Sequence, residues 1–514
     1  MKLQIPQVIS VLRDEVGLIA QRKPLLWALP LQAVLLFSNL NLLDPWNDEW
    51  FTITTIPEPV SKVVSGVAAN IHPPLYFVLL HFWIQLPWAL SPVASMRAMS
   101  AGWALVATVV VYLLWLRRER PEFQQMFLAL WVLSPSLLLH ANMARSYSME
   151  VALASLSIYT ALQWTEQARN WKRLLAYTGS NTALLYTHYL SGLAVACGTC
   201  LTFLFQKRFK LAAAQVALLA ALYAPWMPTL VSALRQWIGA PSFYEGGNVI
   251  SDQIVRLGYL LVSFSFGETL STVSIVLGVL LTPVVIYALW RGIIARPAWL
   301  LIVLPATGVA WVGVSRFEQF VFMPNQLLFA LPFFLILIVR QMSPIVFVAF
   351  LVLYASADYA YCTKSGFLVK PYATPYEEMA EVILRRSHGQ NTIVAVDQSG
   401  AFSQPLLARL GDRLRVVILN ETSAGQVLEA ARREPSSSIL LWRRTTDVSP
   451  RSFVTKLEQE LSVGREVWHR DFVAYSLPER WALRLLRGAG QPEYYYRVSE
   501  FRPANSNEST GTLN

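Results

Sequence analysis

Charge is what this sequence has least of. Of its 514 residues only 14% are Asp, Glu, Lys or Arg, against 54% hydrophobic. That is more apolar surface than one soluble core can hide, so lipid must cover much of the chain. The deficit is uneven: ionisable residues are sparse from Leu25 to Tyr361, whereas Glu377 to Arg502 has the composition of an ordinary soluble protein. The shift divides the chain into residues 1–364 and 365–514. Cysteine is nearly absent too. Cys197 and Cys200 lie in an apolar run and Cys362 stands alone, which excludes a disulfide framework and makes the Cys-x-x-Cys pair a helix-packing feature rather than a redox one. Residues 365–514 contain no G-x-G-x-x-G and no Walker sequence, so nothing there argues for nucleotide binding. No small-residue cleavage site follows the first apolar run, and the amphipathic first 22 residues with Arg13, Arg22 and Lys23 are expected to form an anchor rather than a removable signal peptide.

What is present is a ladder of apolar runs with basic punctuation. The net charge of +10 falls largely between those runs, where the positive-inside rule puts topology determinants, so it points to a membrane and not to nucleic acid. If Leu25 to Leu43 crosses outward, Arg117, Arg118 and Arg120 lie inside only if Pro73 to Leu90 rests in the outer interface instead of spanning. Ala98 to Leu116 is then the second crossing. Phe123 to His140, Tyr147 to Thr165, Leu174 to Tyr189, Leu190 to Gln206 and Leu211 to Leu230 follow. Arg235 to Gln253 forms an outer loop with Gly246-Gly247, and Ile254 to Phe266 is a second interfacial segment. Leu270 to Trp290, Trp299 to Ser315, Phe322 to Val339 and Pro344 to Tyr361 bring the total to about eleven crossings. On this scheme the C-terminal domain is extracytoplasmic and the protein is a multi-pass plasma (inner) membrane protein of the cell envelope.

The soluble part alternates periodicities. Helices are expected over Tyr376–Arg386, Phe402–Leu410, Ala424–Arg433 and Phe453–Leu461, and strands over Thr392–Val396, Leu414–Leu419 and Ser438–Trp442. Strands separated by helices imply a small three-layer α/β sandwich.

The outer loops collect polar residues that are costly near lipid unless paired or used: Asp48 and Glu49, His72 beside Pro73-Pro74, Arg145, Tyr147 and Glu150, and His188 with Tyr189. The strings Asn47-Asp48-Glu49-Trp50, Ile71-His72-Pro73-Pro74-Leu75-Tyr76, Ala144-Arg145-Ser146-Tyr147-Ser148-Met149 and Tyr186-Thr187-His188-Tyr189 occur in that order. Together they resemble the GT-C superfamily of lipid-dependent glycosyltransferases, on its bacterial branch akin to protein O-mannosyltransferases and aminoarabinose transferases, over most of residues 1–360.

The resemblance implies a membrane all-α fold with interfacial helices and transfer of a sugar from a polyprenyl-phosphate donor to a lipid, glycan or protein acceptor, with inversion at the anomeric carbon. It implies that Asp48 is the general base, with Glu49 as a helper or helix cap. An inverting displacement needs such a carboxylate to take the acceptor's proton while the phosphate leaves from the opposite face of the sugar. The leaving phosphate needs cations or donors, for which Arg145 is the first candidate, supplemented by His72, Tyr147, His188 and Tyr189. Members of the superfamily often carry an Arg-Tyr pair near the start of a late helix. Here that region reads Phe322-Met323-Pro324-Asn325-Gln326, and Arg316 is the nearest candidate for the cationic role. Glu150 with Asp48 is a candidate pair for a divalent cation, although the usual Asp-rich spacing is missing. The competing class is a transporter or lipid flippase, which would place ionisable residues near mid-bilayer and show inverted repeats. The sequence displays neither.

Overall fold

The computed structural model describes residues 24–503 apart from 71, 168–169, 239–248, 318–323, 388–390, 398–402, 412–413, 445–451, 476–478 and 481–493. The amphipathic first 22 residues and Gly246-Gly247 lie outside the described residues. The chain divides into two compact units: residues 1–42 with 52–365, and residues 43–51 with 366–514.

The first unit is helical. In chain order its helices are α1 (Pro24–Phe37), α2 (Asn47–Thr55, which begins in the other unit), α3 (Val60–Ala69), α4 (Leu75–Trp83), α5 (Pro92–Val111), α6 (Pro121–Val132), α7 (Pro135–Ala141), α8 (Tyr147–Glu166), α9 (Trp171–Leu185), α10 (Tyr189–Phe205), α11 (Phe209–Tyr223), α12 (Met227–Ile238), α13 (Val249–Phe266), α14 (Thr272–Ile294), α15 (Leu300–Phe317), α16 (Leu331–Val339) and α17 (Pro344–Cys362). Every apolar run taken for a crossing is occupied by helix over most of its length. Among the described residues, four helical stretches, Pro92–Leu116, Phe209–Ser232, Thr272–Ile294 and Pro344–Cys362, are long and apolar enough to cross a membrane. The pair α6 and α7, bent by 49°, adds a fifth if it is counted as one span. This does not reproduce the eleven crossings, because several apolar helices have only 10–17 residues. The outward faces are those of a lipid-contacting protein: Val279 is 70% exposed, Leu280 67% and Ile345 83%, a surface that water would not tolerate at this extent.

Pro73 to Leu90, expected to lie in the interface, carries only the nine-residue α4, about 14 Å of helix and half the hydrocarbon thickness. Ile254 to Phe266 is the C-terminal part of the longer α13.

Polar bonds and small residues fix the bundle. Trp131 donates to Thr108 at 2.7 Å and Thr108 donates to Gln32 at 2.6 Å, tying α6, α5 and α1 together. A Cβ on Gly198 of α10 would lie 2.5 Å from the Ile302 carbonyl of α15. Only glycine permits this approach, and it lets Thr202 donate to the Leu301 carbonyl at 2.8 Å.

The second unit is an α/β/α sandwich. Its helices are α18 (Tyr376–Arg386), α19 (Gln404–Leu410), α20 (Glu421–Arg433) and α21 (Ser452–Ser462), and its strands β1 (Thr392–Asp397), β2 (Arg415–Leu419), β3 (Ser438–Arg444), β4 (Arg465–Ala474) and β5 (Tyr494–Pro503). The sheet order is β2-β1-β3-β5-β4; β2, β1 and β3 are parallel, and β5 pairs antiparallel with both β3 and β4. Alternate residues of β1 serve the two faces. Val394 and Val396 pack with Met379, Ile383, Leu406 and Leu410, and Ile393 and Ala395 with Val427, Ala431, Leu457 and Leu461, as a period of two requires. The helices and first three strands match the sequence reading; β4 and β5 extend it.

Candidate active site

Four of the candidate residues meet in the helical unit. Arg145 sits in the short turn between α7 and α8, only 6% exposed, directly before the N-terminus of α8. Its backbone is held by a chain that begins on α4, where the Tyr76 hydroxyl meets Ser100 at 2.7 Å, and Ser100 donates to the Arg145 carbonyl at 3.0 Å. Its guanidinium lies 5.8 Å from the centre of the Phe77 ring and donates from Nη2 to Nε2 of His72 at 3.2 Å. The His72 ring is tilted over the same Phe77 at 5.5 Å. Pro73 and Pro74 stiffen this entry to α4, and Leu75 N–H donates to the Tyr186 carbonyl at 2.8 Å, fixing the His72 loop to the end of α9.

A guanidinium can only donate, so the His72 nitrogen it faces accepts and the imidazole is neutral. Burial first, then the charges of Arg145 and His188, hold the His72 pKa well below its ordinary value. The folded state therefore resists a proton that the unfolded chain takes up below about pH 6.5. The unfolded state binds more protons there, so stability falls as pH drops through that range. Thermal unfolding followed from pH 8 to pH 5 should show a steeper loss for the native chain than for His72→Gln, which keeps an acceptor without the titration. Superimposable profiles would remove this linkage.

Beside this pair runs a second chain. His188 caps α10, its Nδ1 accepting from the Ser191 N–H. The Ser191 hydroxyl lies 2.9 Å from the same nitrogen and donates to Glu150 Oε1. Glu150 is fully buried in the first turn of α8, and its Oε2 has no hydrogen-bond partner among the described residues. Gln326 hydrogen-bonds His188, and His188 is close enough to Arg145 for their charges to interact. His72, Arg145, Glu150 and His188 thus form one neighbourhood, joined by Ser191 and Gln326, two residues that sequence reasoning did not single out.

Tyr147 and Tyr189 have contacts of their own. Tyr147 is buried with its ring edge-on to His140 at 5.5 Å. The Tyr189 hydroxyl accepts from Trp226 at 2.6 Å, in an aromatic and aliphatic cluster with Tyr186, Leu219 and Tyr223. The Arg316 side chain, like Phe322 and Met323, lies outside the described residues. Asp48 and Glu49 occupy the first turn of α2 in the unit that contains the C-terminal domain, Glu49 buried and Asp48 half-buried. Among the described residues no group of three or more His, Cys, Asp or Glu is arranged to hold a metal ion.

The structure adds a buried network that hydropathy passed over. His140 Nε2 lies 2.9 Å from Glu268 Oε1, with both side chains wholly buried, and Glu268 also accepts from Tyr259 at 2.8 Å and Ser263 at 3.1 Å. Gly267 makes the approach possible. Its φ is +89°, and a Cβ there would stand 2.5 Å from the Pro135 Cβ at the start of α7. Glu268 was visible as the one acid in a long apolar stretch.

No family model matches the chain, and no curated protein matches it. Among solved structures it is similar to the arabinofuranosyltransferase AftD from mycobacteria, over 94% of this chain, with 14% identity and a TM-score of 0.37. The chain spans 40% of the length of that protein.

Proposed function

We propose that this protein is a membrane glycosyltransferase that moves a sugar from a polyprenyl-phosphate donor to an acceptor on the extracytoplasmic face, with inversion. The observation that carries the proposal is the buried Arg145, hydrogen-bonded to a neutral His72 at the N-terminus of α8. A guanidinium and the positive end of a helix reinforce one another as a phosphate site. The Glu150–Ser191–His188 chain beside it supplies donors and acceptors suited to sugar hydroxyls. In this reading Asp48 removes the acceptor's proton, Glu49 supports it, and Arg145 takes the charge that develops on the leaving phosphate, with Arg316 as a second cation. About eleven crossings and an outward C-terminal domain complete the reading.

One observation favours transport instead. Asp358 is buried in α17 with neither carboxylate oxygen hydrogen-bonded among the described residues; with the His140–Glu268 pair, it is the kind of buried ionisable group a transporter uses. Reconstitution in vesicles with a labelled polyprenyl-phosphate sugar and a membrane acceptor extract separates the two. A glycosyl product with release of polyprenyl phosphate is the expected result. Movement of intact donor between leaflets without product would replace the transferase with a flippase.

A further inference from the structure

We infer that the C-terminal domain positions the Asp48–Glu49 pair, gripping the chain on both sides of it through Asp44, Trp46 and Trp50. The inference rests on the assignment of Asp48 as base made above.

Residues Leu43–Phe51 belong to the same compact unit as residues 366–514, and three contacts within that unit say why. The first is a helix cap supplied from 333 residues away. The N-cap position of α18 is Pro375, which has no side-chain acceptor to offer the first amides of the helix. Asp44 Oδ2 accepts the Glu377 N–H at 2.8 Å instead, a carboxylate at the positive end of a helix. The second is Trp46, 3% exposed, edge-on to the buried ring of Tyr372 with centroids 4.8 Å apart. The third is Arg409, whose guanidinium lies 5.7 Å from the Trp50 ring and 6.0 Å from that of Tyr376. Trp46 and Trp50 are four residues apart and joined by the Trp50 N–H to Trp46 carbonyl bond at 2.9 Å. Asp48 is midway between them. The two acids therefore ride on a helical turn whose ends are fastened to one compact unit.

A general base acts through geometry, and a displacement of about 1 Å costs roughly a hundredfold in rate. Asp44, Tyr372 and Arg409 are thus positioning residues, acting through Asp48 without touching substrate. The domain that follows α17 becomes part of the catalytic apparatus.

The test uses the full chain in lipid nanodiscs, with Asp44→Ala, Asp44→Asn, Arg409→Ala and Arg409→Lys. Amide exchange by mass spectrometry over residues 44–51 reads the grip directly. Removing a cap or its neighbour should speed exchange there roughly fivefold or more, with α8 and α10 unchanged. Donor turnover should fall roughly 10- to 100-fold with donor affinity retained. Asp44→Asn, which still caps, and Arg409→Lys, which still presents a cation to the rings, should recover most of both. Exchange that does not change in either alanine variant overturns the inference whatever turnover does, and faster exchange with native turnover overturns the positioning role. A native chain that transfers no sugar from any donor refutes the transferase reading and the catalytic half of this inference with it, while exchange still decides the grip. Should Arg409→Ala fail to fold, Asp44→Ala carries the test.

Discussion

Asp48→Asn is expected to bind donor as the native chain does and to lose turnover by about 10²–10⁴-fold, the usual cost of removing a general base. The asparagine keeps the size of the side chain and its place in the first turn of α2, so the Trp46 and Trp50 contacts survive. What it cannot do is accept a proton from the acceptor hydroxyl as the phosphate departs. Donor affinity should hold because this carboxylate meets the acceptor, not the lipid phosphate. Glu49→Gln separates the neighbours: Glu49 is 1% exposed, and a buried acid that only supports the turn should cost stability before rate. The measurement is transfer from a labelled polyprenyl-phosphate sugar beside donor binding by the same protein. Near-native turnover in Asp48→Asn would reassign the base, with Glu150, buried beside Ser191 and His188, as the next carboxylate to replace.

Which parts of this could be read from the chain follows from how each is encoded. β1 to β3 and the helices beside them are legible because each alternates or repeats its apolar residues in a local window. β4 and β5 are not. Most of Arg465–Ala474 faces solvent, and β5 buries Glu500 completely. That carboxylate tolerates burial because Arg386, 114 residues away, and Arg502, two residues on, pair with it at 3.2 and 2.6 Å, and nothing in the local sequence announces the first. In the helical unit, Arg145, Glu150, His72 and His188 stand out because ionisable residues near lipid are costly. Ser191 and Gln326 do not stand out, since neutral polar residues are cheap in helices and common. Glu268 stands out by the same cost argument, as an acid two residues before the span expected from Leu270. The grip of the C-terminal domain on Asp44 to Trp50 has no local signature at all. A cap separated by 333 residues leaves no spacing to find.

Arg145→Ala should behave differently from Asp48→Asn, and the difference is the sharper test of the site. A charge-assisted contact to a phosphate exists before the reaction and strengthens as the glycosidic bond breaks, so affinity and rate should both fall. Loss of one such donor in a buried site costs about 10²–10³-fold in kcat, and donor binding should weaken about tenfold or more. Part of the loss in an alanine variant comes from structure, because Arg145 packs on Phe77 and holds His72. Arg145→Lys controls for this. It keeps the charge and the aliphatic stem but replaces the planar fork by a single ammonium, which cannot bond His72 and a phosphate oxygen in the same geometry. Lysine should therefore restore thermal stability while recovering little of the rate. A lysine variant with native rate would mean that only charge is needed and that the His72 contact is incidental. An alanine variant with unchanged affinity and rate would move the phosphate site away from α8, leaving Arg145 as the residue that anchors the His72 loop.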